Sequence, residues 1–164
     1  MARQGRPPYR HPHRLSTDRY QKLFQPVFFT LATDRRLPVL TSSGVPQIVL
    51  RILDECAEKH SCALIAFCVM PDHVHLLTCV VREGGDAKRH VDEAKSQSGH
   101  ELTAAGLSAP IWQRSYFDRH LRARDDLGEA VEYILLNPVE AGLCASVEDW
   151  PYSGYRGRPW DDEG

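Results

Sequence analysis

The sequence lacks any apolar run that approaches the roughly 20 residues needed to cross a bilayer. Its Arg-rich first residues are not followed by the apolar segment that a signal peptide requires. These two absences argue against a membrane-spanning or exported protein. We therefore expect a cytoplasmic location and no membrane partner.

Closely paired cysteines are also missing. The five cysteines are odd in number, and no two of them have C-x-x-C spacing. A disulfide framework uses an even number of cysteines, and a zinc ribbon needs closely spaced pairs. The sequence therefore predicts reduced cysteines that pack in the interior.

A strong excess of charge of either sign is absent, since the net charge is −2. Taken alone, this balance does not favour a nucleic-acid partner. The distribution points the other way, because residues 1–22 carry a net charge of +5 and the remaining 142 residues carry −7. A basic arm on an acidic body is common in phosphate-binding proteins, although a solubilising tail has the same composition.

The composition is that of one globular domain. The 164 residues are 42% apolar and 26% charged, which is ordinary for a chain that buries one hydrophobic core. The sequence has no internal repeat and no interior linker. We predict a basic flexible arm over residues 1–19, a folded domain over residues 20–156 and an acidic, frayed tail over residues 157–164.

Two apolar, strand-like segments lie on either side of Pro71-Asp72. They are rich in Val, Leu, Ile, Phe and Cys, which is typical of central strands. Pro fixes φ and Asp hydrogen-bonds its own backbone, so the pair predicts a tight corner. Because side chains alternate along a strand, His73 and His75 are expected on one face. Two such imidazoles can chelate one divalent cation, although ordinary polar residues at a hairpin end give the same pattern.

The order of elements predicts an α+β, ferredoxin-like fold. A strand over residues 23–32 is followed by a helix that begins near Ser43 and by the two central strands. A polar helix over residues 87–107, a fourth strand over residues 111–121 and a C-terminal helix complete the series. This split βαβ order gives an open antiparallel sheet with helices on one face. Such a fold hosts many functions, so the function must be inferred from the site.

The C-terminal helix places Tyr133 and Asn137 one turn apart on one flank of its apolar stripe. Pro138 disfavours helical geometry at Asn137, so a new helix could instead begin there with Asn as its cap. Upstream, residues 111–122 alternate aromatic and basic side chains, which could stack bases and hold phosphates or could pack the sheet.

Three segments follow one another along the chain: VMPDHVHLL, IWQRSYFDRHLR and EYILLNPVEAGL, with the ending EDWPYSGY after them. Together they resemble the single-tyrosine HUH transposases of bacterial insertion sequences, and most of all the branch of REP-associated tyrosine transposases. The resemblance covers about residues 20–156. It is specific because three motifs recur in the same order. Residues 82–110 are less similar beyond Lys95, so the resemblance says least about hairpin specificity there.

The resemblance implies a role for each matching residue. His73 and His75 correspond to the family's paired metal ligands, Tyr133 to its nucleophile, and Asn137 to the polar residue that completes the metal site. It implies Mg²⁺ or Mn²⁺ as cofactor, single-stranded DNA with a hairpin as partner, and a 5′-phosphotyrosine link with a free 3′-OH. Many members form homodimers and monomers occur in this branch; no nucleotide cofactor is expected. The basic residues expected to contact DNA are Arg10, Arg14, Lys95, Arg114, Arg119 and Arg122.

Two other functions compete with this site-specific DNA nicking and strand transfer. A catalytically silent hairpin-binding protein of the same fold would not need His73, His75 and Tyr133, which are all present. A nucleotide hydrolase of the histidine-triad type needs His-x-His-x-His, but Leu77 stands at the third position. Tyr116 is the one rival nucleophile, and its place in an aromatic strand favours a role in packing.

Overall fold

The computed structural model describes residues 17–122 and 124–161. Their strands form one antiparallel sheet in the order β4-β1-β3-β2-β5, with three α-helices packed against it. This arrangement confirms the predicted α+β, split βαβ fold. The strands are β1 (Val27–Ala32), β2 (Cys62–Val69), β3 (His73–Val80), β4 (Phe117–His120) and β5 (Ser153–Tyr155), and the helices are α1 (Val45–Lys59), α2 (Ala87–Ala104) and α3 (Arg124–Glu140).

The sheet has a hydrophobic cluster on each face. Phe29 and Leu76 belong to the cluster formed with α1 and α2. Phe28 and Leu77, their neighbours along the strands, belong to the second cluster, which includes Ile134 of α3. The two crossover helices therefore lie on one face, and the C-terminal helix lies on the other. Because both faces are covered, β2 and β3 are buried at nearly every position, which explains their almost continuous apolar sequences.

The central hairpin turns at Pro71-Asp72, as predicted. Val69 pairs with Val74, and the Met70 N–H donates to the His73 carbonyl oxygen at 2.8 Å, which closes the corner. The register sends alternate residues of β3 to opposite faces. The histidines at the start of β3 therefore leave the sheet on the side that α3 covers.

Two helices begin where their sequences indicate. Helix α1 has Pro46 in its first turn and buries one apolar face that includes Val49, Ile52 and Leu53. Helix α2 is capped by Asp86, whose side chain accepts hydrogen bonds from the backbone N–H groups of the first turn, at 2.9 and 3.0 Å. It ends at Ala104 rather than at the predicted residue 107.

Two predicted strands are shorter than the sequence indicated. Strand β1 begins at Val27 rather than at residue 23, because Phe24 has φ of 54° and Pro26 has no N–H to donate. Strand β4 begins at Phe117 rather than at residue 111. In the preceding segment Trp112 makes one isolated bridge, to Thr33, and its indole N–H donates to the Ser98 hydroxyl at 2.9 Å.

The C-terminal part resolves one alternative and adds one strand. Helix α3 continues through Pro138 to Glu140, so no new helix begins at Asn137. Residues 153–155, for which no strand was predicted, pair with β2 as the edge strand β5. At the other end, the predicted boundary between arm and domain falls inside a short 3-10 helix, Thr17–Gln21, in which Tyr20 is buried. Most of the predicted arm, residues 1–16, lies outside the described residues. No helix in the described part of the chain is long and apolar enough to span a membrane.

Candidate active site

His73 and His75 lie side by side on the face of the sheet that α3 covers. Their ring centroids are 4.6 Å apart, and their Nε2 atoms are separated by 3.1 Å. His75 is only 3% exposed, whereas His73 lies nearer the end of the strand and is half-buried. The predicted shared face is therefore present, and the two Nε2 atoms converge on one point.

The opposite ring nitrogens are held by the protein. His73 Nδ1 lies 2.7 Å from a carboxylate oxygen of Asp72, and the other oxygen of that carboxylate accepts from Arg36 Nε at 3.1 Å. His75 Nδ1 lies 2.9 Å from the hydroxyl oxygen of Thr30, its cross-strand partner on β1. Each Nδ1–H can donate to these oxygens, which fixes the tautomer and leaves the Nε2 lone pair free.

Burial keeps both imidazoles neutral. It lowers the pKa of His73, an effect that the hydrogen bond to Asp72 partly opposes. It lowers the pKa of His75 well below the usual value, and the nearby His73 and Arg36 lower it further. The neutral imidazole is the form that binds a metal ion, so the surroundings favour the ligand state of both side chains.

Tyr133 lies against this pair from α3. Its ring centroid is 5.3 Å from that of His75 and 6.0 Å from that of Phe28, whose ring in turn contacts His75. Burial raises the pKa of Tyr133, and the charge of Glu140 raises it further. The phenol is therefore protonated at pH 7, and its use as a nucleophile requires positive charge or a base close by.

Asn137 lies one turn beyond Tyr133 on the same helix. Its side chain is close enough to act as a hydrogen-bond partner of His73, which raises the pKa of that imidazole against the larger, opposite effect of burial. The structure thus brings together Asn137, Tyr133 and the two histidines, which are separated by more than 50 residues in the sequence.

The donor set suits a divalent metal ion. Two lone pairs at 3.1 Å repel each other unless a proton or cation lies between them, and both imidazoles are held in their neutral form. Imidazole nitrogens together with an amide oxygen are ligands that first-row divalent cations accept. Within residues 17–122 and 124–161, no cluster of three or more His, Cys, Asp or Glu side chains could hold a metal ion. Further ligands would therefore come from Asn137 and from a bound substrate.

The six basic residues expected to contact DNA occupy different places. Arg119 pairs across the strands with Phe28, on the face of the sheet that α3 covers, and forms an ion pair of 3.7 Å with Asp126. Arg122 is exposed beyond the end of β4. Lys95 donates to the backbone carbonyls of residues 113 and 114, at 2.7 and 3.2 Å, and Arg114 is exposed in the loop that Lys95 holds. Arg10 and Arg14 lie outside the described residues.

Tyr116, the rival nucleophile, lies on the opposite face. Its ring packs edge-on against Phe29 at 5.5 Å, and its hydroxyl donates to Asp92 at 2.8 Å. Burial, with Asp92 adding to it, raises the pKa of Tyr116. The sheet therefore separates Tyr116 from the two histidines.

Thr30, Arg36 and Asp72 support the site but were not singled out from the sequence, where Asp72 served only as a corner residue. The one local signal for Thr30 is that it is a polar residue inside the apolar segment VFFTLA. Arg36 gives no local signal, because its contact with Asp72 joins positions 36 residues apart.

Comparison with known proteins shows which family the chain resembles. The family described as "Transposase IS200 like" matches residues 26–135, which include both histidines and Tyr133. The chain belongs to this family of transposases.

Within the family, this transposase falls among the REP-associated tyrosine transposases. It is 30% identical over 129 residues to the REP-associated tyrosine transposase of Escherichia coli K12. The aligned region covers 78% of this chain and 74% of the relative. A protein of Haemophilus influenzae assigned to the same group is 26% identical over 138 residues, covering 78% of each chain. A solved REP-associated tyrosine transposase bound to a REP hairpin superposes with a TM-score of 0.70 and 29% identity, covering 82% of this chain and 79% of that one.

Proposed function

We propose that this transposase is a metal-dependent, single-stranded DNA endonuclease and strand transferase that cuts near hairpins through a 5′-phosphotyrosine intermediate. The observation that supports it is one cluster on one face of the sheet. The Nε2 atoms of His73 and His75 lie 3.1 Å apart, and the ring of Tyr133 lies 5.3 Å from that of His75. A nucleophile and a site for a cation are thus adjacent, which suits metal-assisted cleavage of a phosphodiester.

In the proposed reaction, the Tyr133 oxygen attacks the phosphorus and forms a new O–P bond. The bond from phosphorus to the 3′ oxygen of the preceding nucleotide breaks, and that oxygen leaves as a 3′-OH after taking up a proton, which balances the one released by the phenol. Attack by a 3′-OH on the phosphotyrosine reverses these changes and joins two strands without an external energy source. The covalent link therefore serves both cleavage and rejoining.

The roles of the other residues follow from their contacts. His73, His75 and Asn137 would hold Mg²⁺ or Mn²⁺, and Asp72 and Thr30 orient the two imidazoles. The cation would supply charge neutralisation at the phosphate oxygens and so lower the barrier to attack.

DNA with a hairpin is the proposed partner. A relative with 29% sequence identity and the same fold was solved bound to a REP hairpin. On this chain Arg119 lies in the edge strand β4 and the exposed Arg122 follows that strand, and both could neutralise phosphates. Both arginines belong to the set that the sequence predicted for DNA binding.

The deciding experiment incubates the protein with labelled single-stranded hairpin DNA and separates the products on a denaturing gel. We expect a nicked product and a protein–DNA adduct in Mg²⁺ or Mn²⁺, and neither product in EDTA. Tyr133→Phe removes one oxygen and should lower cleavage by several orders of magnitude while DNA binding persists. Tyr116→Phe is the matched control and should cleave as the wild type does.

An adduct mapped to Tyr116 would overturn the assignment of the nucleophile. Hairpin binding by the wild type without any adduct or nick, in either metal, would instead support the silent binding protein of the same fold.

A further inference from the structure

A cavity of about 430 Å³ opens beside the catalytic face, where the start of β1, the end of β4 and the start of α3 meet. No role in the proposed chemistry requires it. Its size falls within the range of small-molecule pockets and exceeds what a water-filled packing gap needs. The residues lining it include Phe24, Gln25, Leu121, Arg122, Leu127 and Trp160.

The walls combine aromatic, aliphatic and polar side chains. Phe24 and Trp160 meet edge-on with ring centroids 6.5 Å apart, and Leu121 and Leu127 are buried beneath them. The backbone at Phe24 has φ of 54°, a conformation that non-glycine residues adopt rarely and that structures retain most often at functional sites. A lining that combines two aromatic rings with the polar side chains of Gln25 and Arg122 is suited to a planar aromatic ligand that also carries polar groups.

The rim carries a positive charge. Arg122 is exposed, and among the residues that the structure describes no carboxylate forms an ion pair with it. A guanidinium beside two aromatic rings suits a ligand that combines a planar ring with a phosphate.

The cavity lies on the same face of the sheet as Tyr133 and the two histidines. Trp160, Phe28 and Tyr133 belong to or pack against the same hydrophobic cluster as Leu121 and Leu127. From Thr30, the partner of His75, to Pro26 at the cavity, the chain covers roughly 13 Å along the strand. A DNA strand held at Tyr133 could therefore reach the cavity with its next few nucleotides.

We infer that this cavity binds one unpaired nucleobase of the DNA strand that flanks the cut site, with Arg122 on an adjacent phosphate. The inference rests on the proposed function for the identity of the ligand. It assigns a specificity element to the region around residues 24, 122 and 160, away from the metal ligands and the nucleophile.

The test is a binding experiment, so it does not depend on cleavage. A library of DNA hairpins carries four randomised, unpaired nucleotides on each side of the stem. One round of selection for binding to the wild-type protein gives a single hairpin sequence, which is the probe in all later measurements. Each flanking base is then replaced by an abasic site, and affinity is measured for the wild type, Trp160→Leu and Arg122→Gln. Tyr155→Leu, at an exposed aromatic residue on the distant edge strand β5, is the matched control.

We expect one abasic position to weaken binding to the wild type roughly 5- to 100-fold, the range for loss of one stacked base. Trp160→Leu should weaken binding of the intact probe by a similar factor and should be insensitive to that abasic site. Binding by Arg122→Gln should still be weakened by that abasic site, and the slope of log affinity against log salt concentration should fall by about 0.7. Tyr155→Leu should behave as the wild type.

Equal abasic penalties in the wild type and in Trp160→Leu would overturn the inference and leave the proposed function standing. An abasic scan in which no position weakens binding would also overturn it. If Trp160→Leu only lowers the melting temperature and leaves DNA binding unchanged, the cavity is a packing gap and the inference is again overturned. Failure of the selection to retain any hairpin would count against both this inference and the proposed DNA partner, whereas hairpin binding without cleavage would count against the proposed chemistry alone.

Discussion

His73 and His75 each use Nδ1 for a contact with a neighbouring side chain, and their Nε2 atoms face each other at 3.1 Å. The carboxylate of Asp72 lies between Arg36 and His73, at 3.1 and 2.7 Å, so it is itself held in place. Groups that orient metal-binding imidazoles in this way raise their basicity and fix their tautomer. Asp72 is therefore a positioning residue for the proposed metal site.

We predict that Asp72→Asn lowers the affinity of the protein for Mn²⁺ roughly 10- to 100-fold. The amide can still accept the hydrogen bond from His73 Nδ1–H, but it lacks the charge that makes the imidazole more basic. Affinity is measured in the absence of DNA, by electron paramagnetic resonance of free Mn²⁺. Asp34→Asn is the control, because that carboxylate pairs with Arg35 and not with a histidine. Equal Mn²⁺ affinities in Asp72→Asn and the wild type would show that the carboxylate does not support the site.

In the loop before α2, Gly85 lies in close contact with β3 and with the backbone that precedes β2. A Cβ built on Gly85 would lie 2.6 Å from a Val80 methyl group and 2.9 Å from each of the carbonyl oxygens of His60 and Ser61. Gly128 in α3 offers the opposite case, since a Cβ there would meet nothing within 4 Å.

We therefore predict that Gly85→Ala lowers the free energy of unfolding by about 1–3 kcal/mol or more, because two backbone groups must move. Gly128→Ala should raise it by about 0.5–1 kcal/mol, the gain from replacing glycine within a helix. Urea denaturation of the two variants and the wild type measures both effects. A neutral Gly85→Ala would mean that the loop and β3 separate more easily than their packing indicates.

For the whole molecule, acid stability depends on histidines that are buried away from the site. Burial lowers the pKa of His90 to about 4 against an opposing hydrogen bond to the Leu53 carbonyl, and burial likewise lowers the pKa of His120 to about 4. Between pH 4 and the usual value of 6.5 the unfolded chain binds more protons at these groups than the folded chain does. The stability they confer is therefore complete above pH 6.5 and is lost as the pH falls to about 4.

We predict that the free energy of unfolding decreases over this range and that His90 accounts for about 3 kcal/mol of the decrease. His90→Gln retains an amide donor for the Leu53 carbonyl but cannot titrate, so its stability should fall less steeply between pH 6.5 and 4. His100→Gln, at an exposed position on the same helix, is the control and should follow the wild type. Parallel curves for His90→Gln and the wild type would contradict the prediction.

The basic N-terminal residues are expected to add affinity for DNA rather than chemistry. Deleting residues 1–16 removes four arginines and leaves the 3-10 helix that buries Tyr20. We predict weaker hairpin binding and a shallower logarithmic salt slope, by about 0.7 for each single-strand phosphate that the removed arginines had neutralised. The check is a salt titration of binding by both proteins. If the salt slope of binding is unchanged by the deletion, residues 1–16 do not contact DNA phosphates and serve as a solubilising segment.

The sequence by itself determined much of the fold and the residue types of the site. The β-turn at Pro71-Asp72, the alternation that puts His73 and His75 on one face, and the helix that carries Tyr133 all depend on neighbours a few residues apart. Local periodicity records such relations directly.

Only the tertiary structure decided how these elements face one another. It placed Tyr133 against the histidines and Tyr116 on the other side of the sheet, and it joined Arg36 to Asp72. It also paired the three-residue strand β5 with β2 and formed the cavity beside Trp160. These relations join positions far apart in the chain, and they follow from which hydrophobic surfaces bury one another, a property that no single segment encodes.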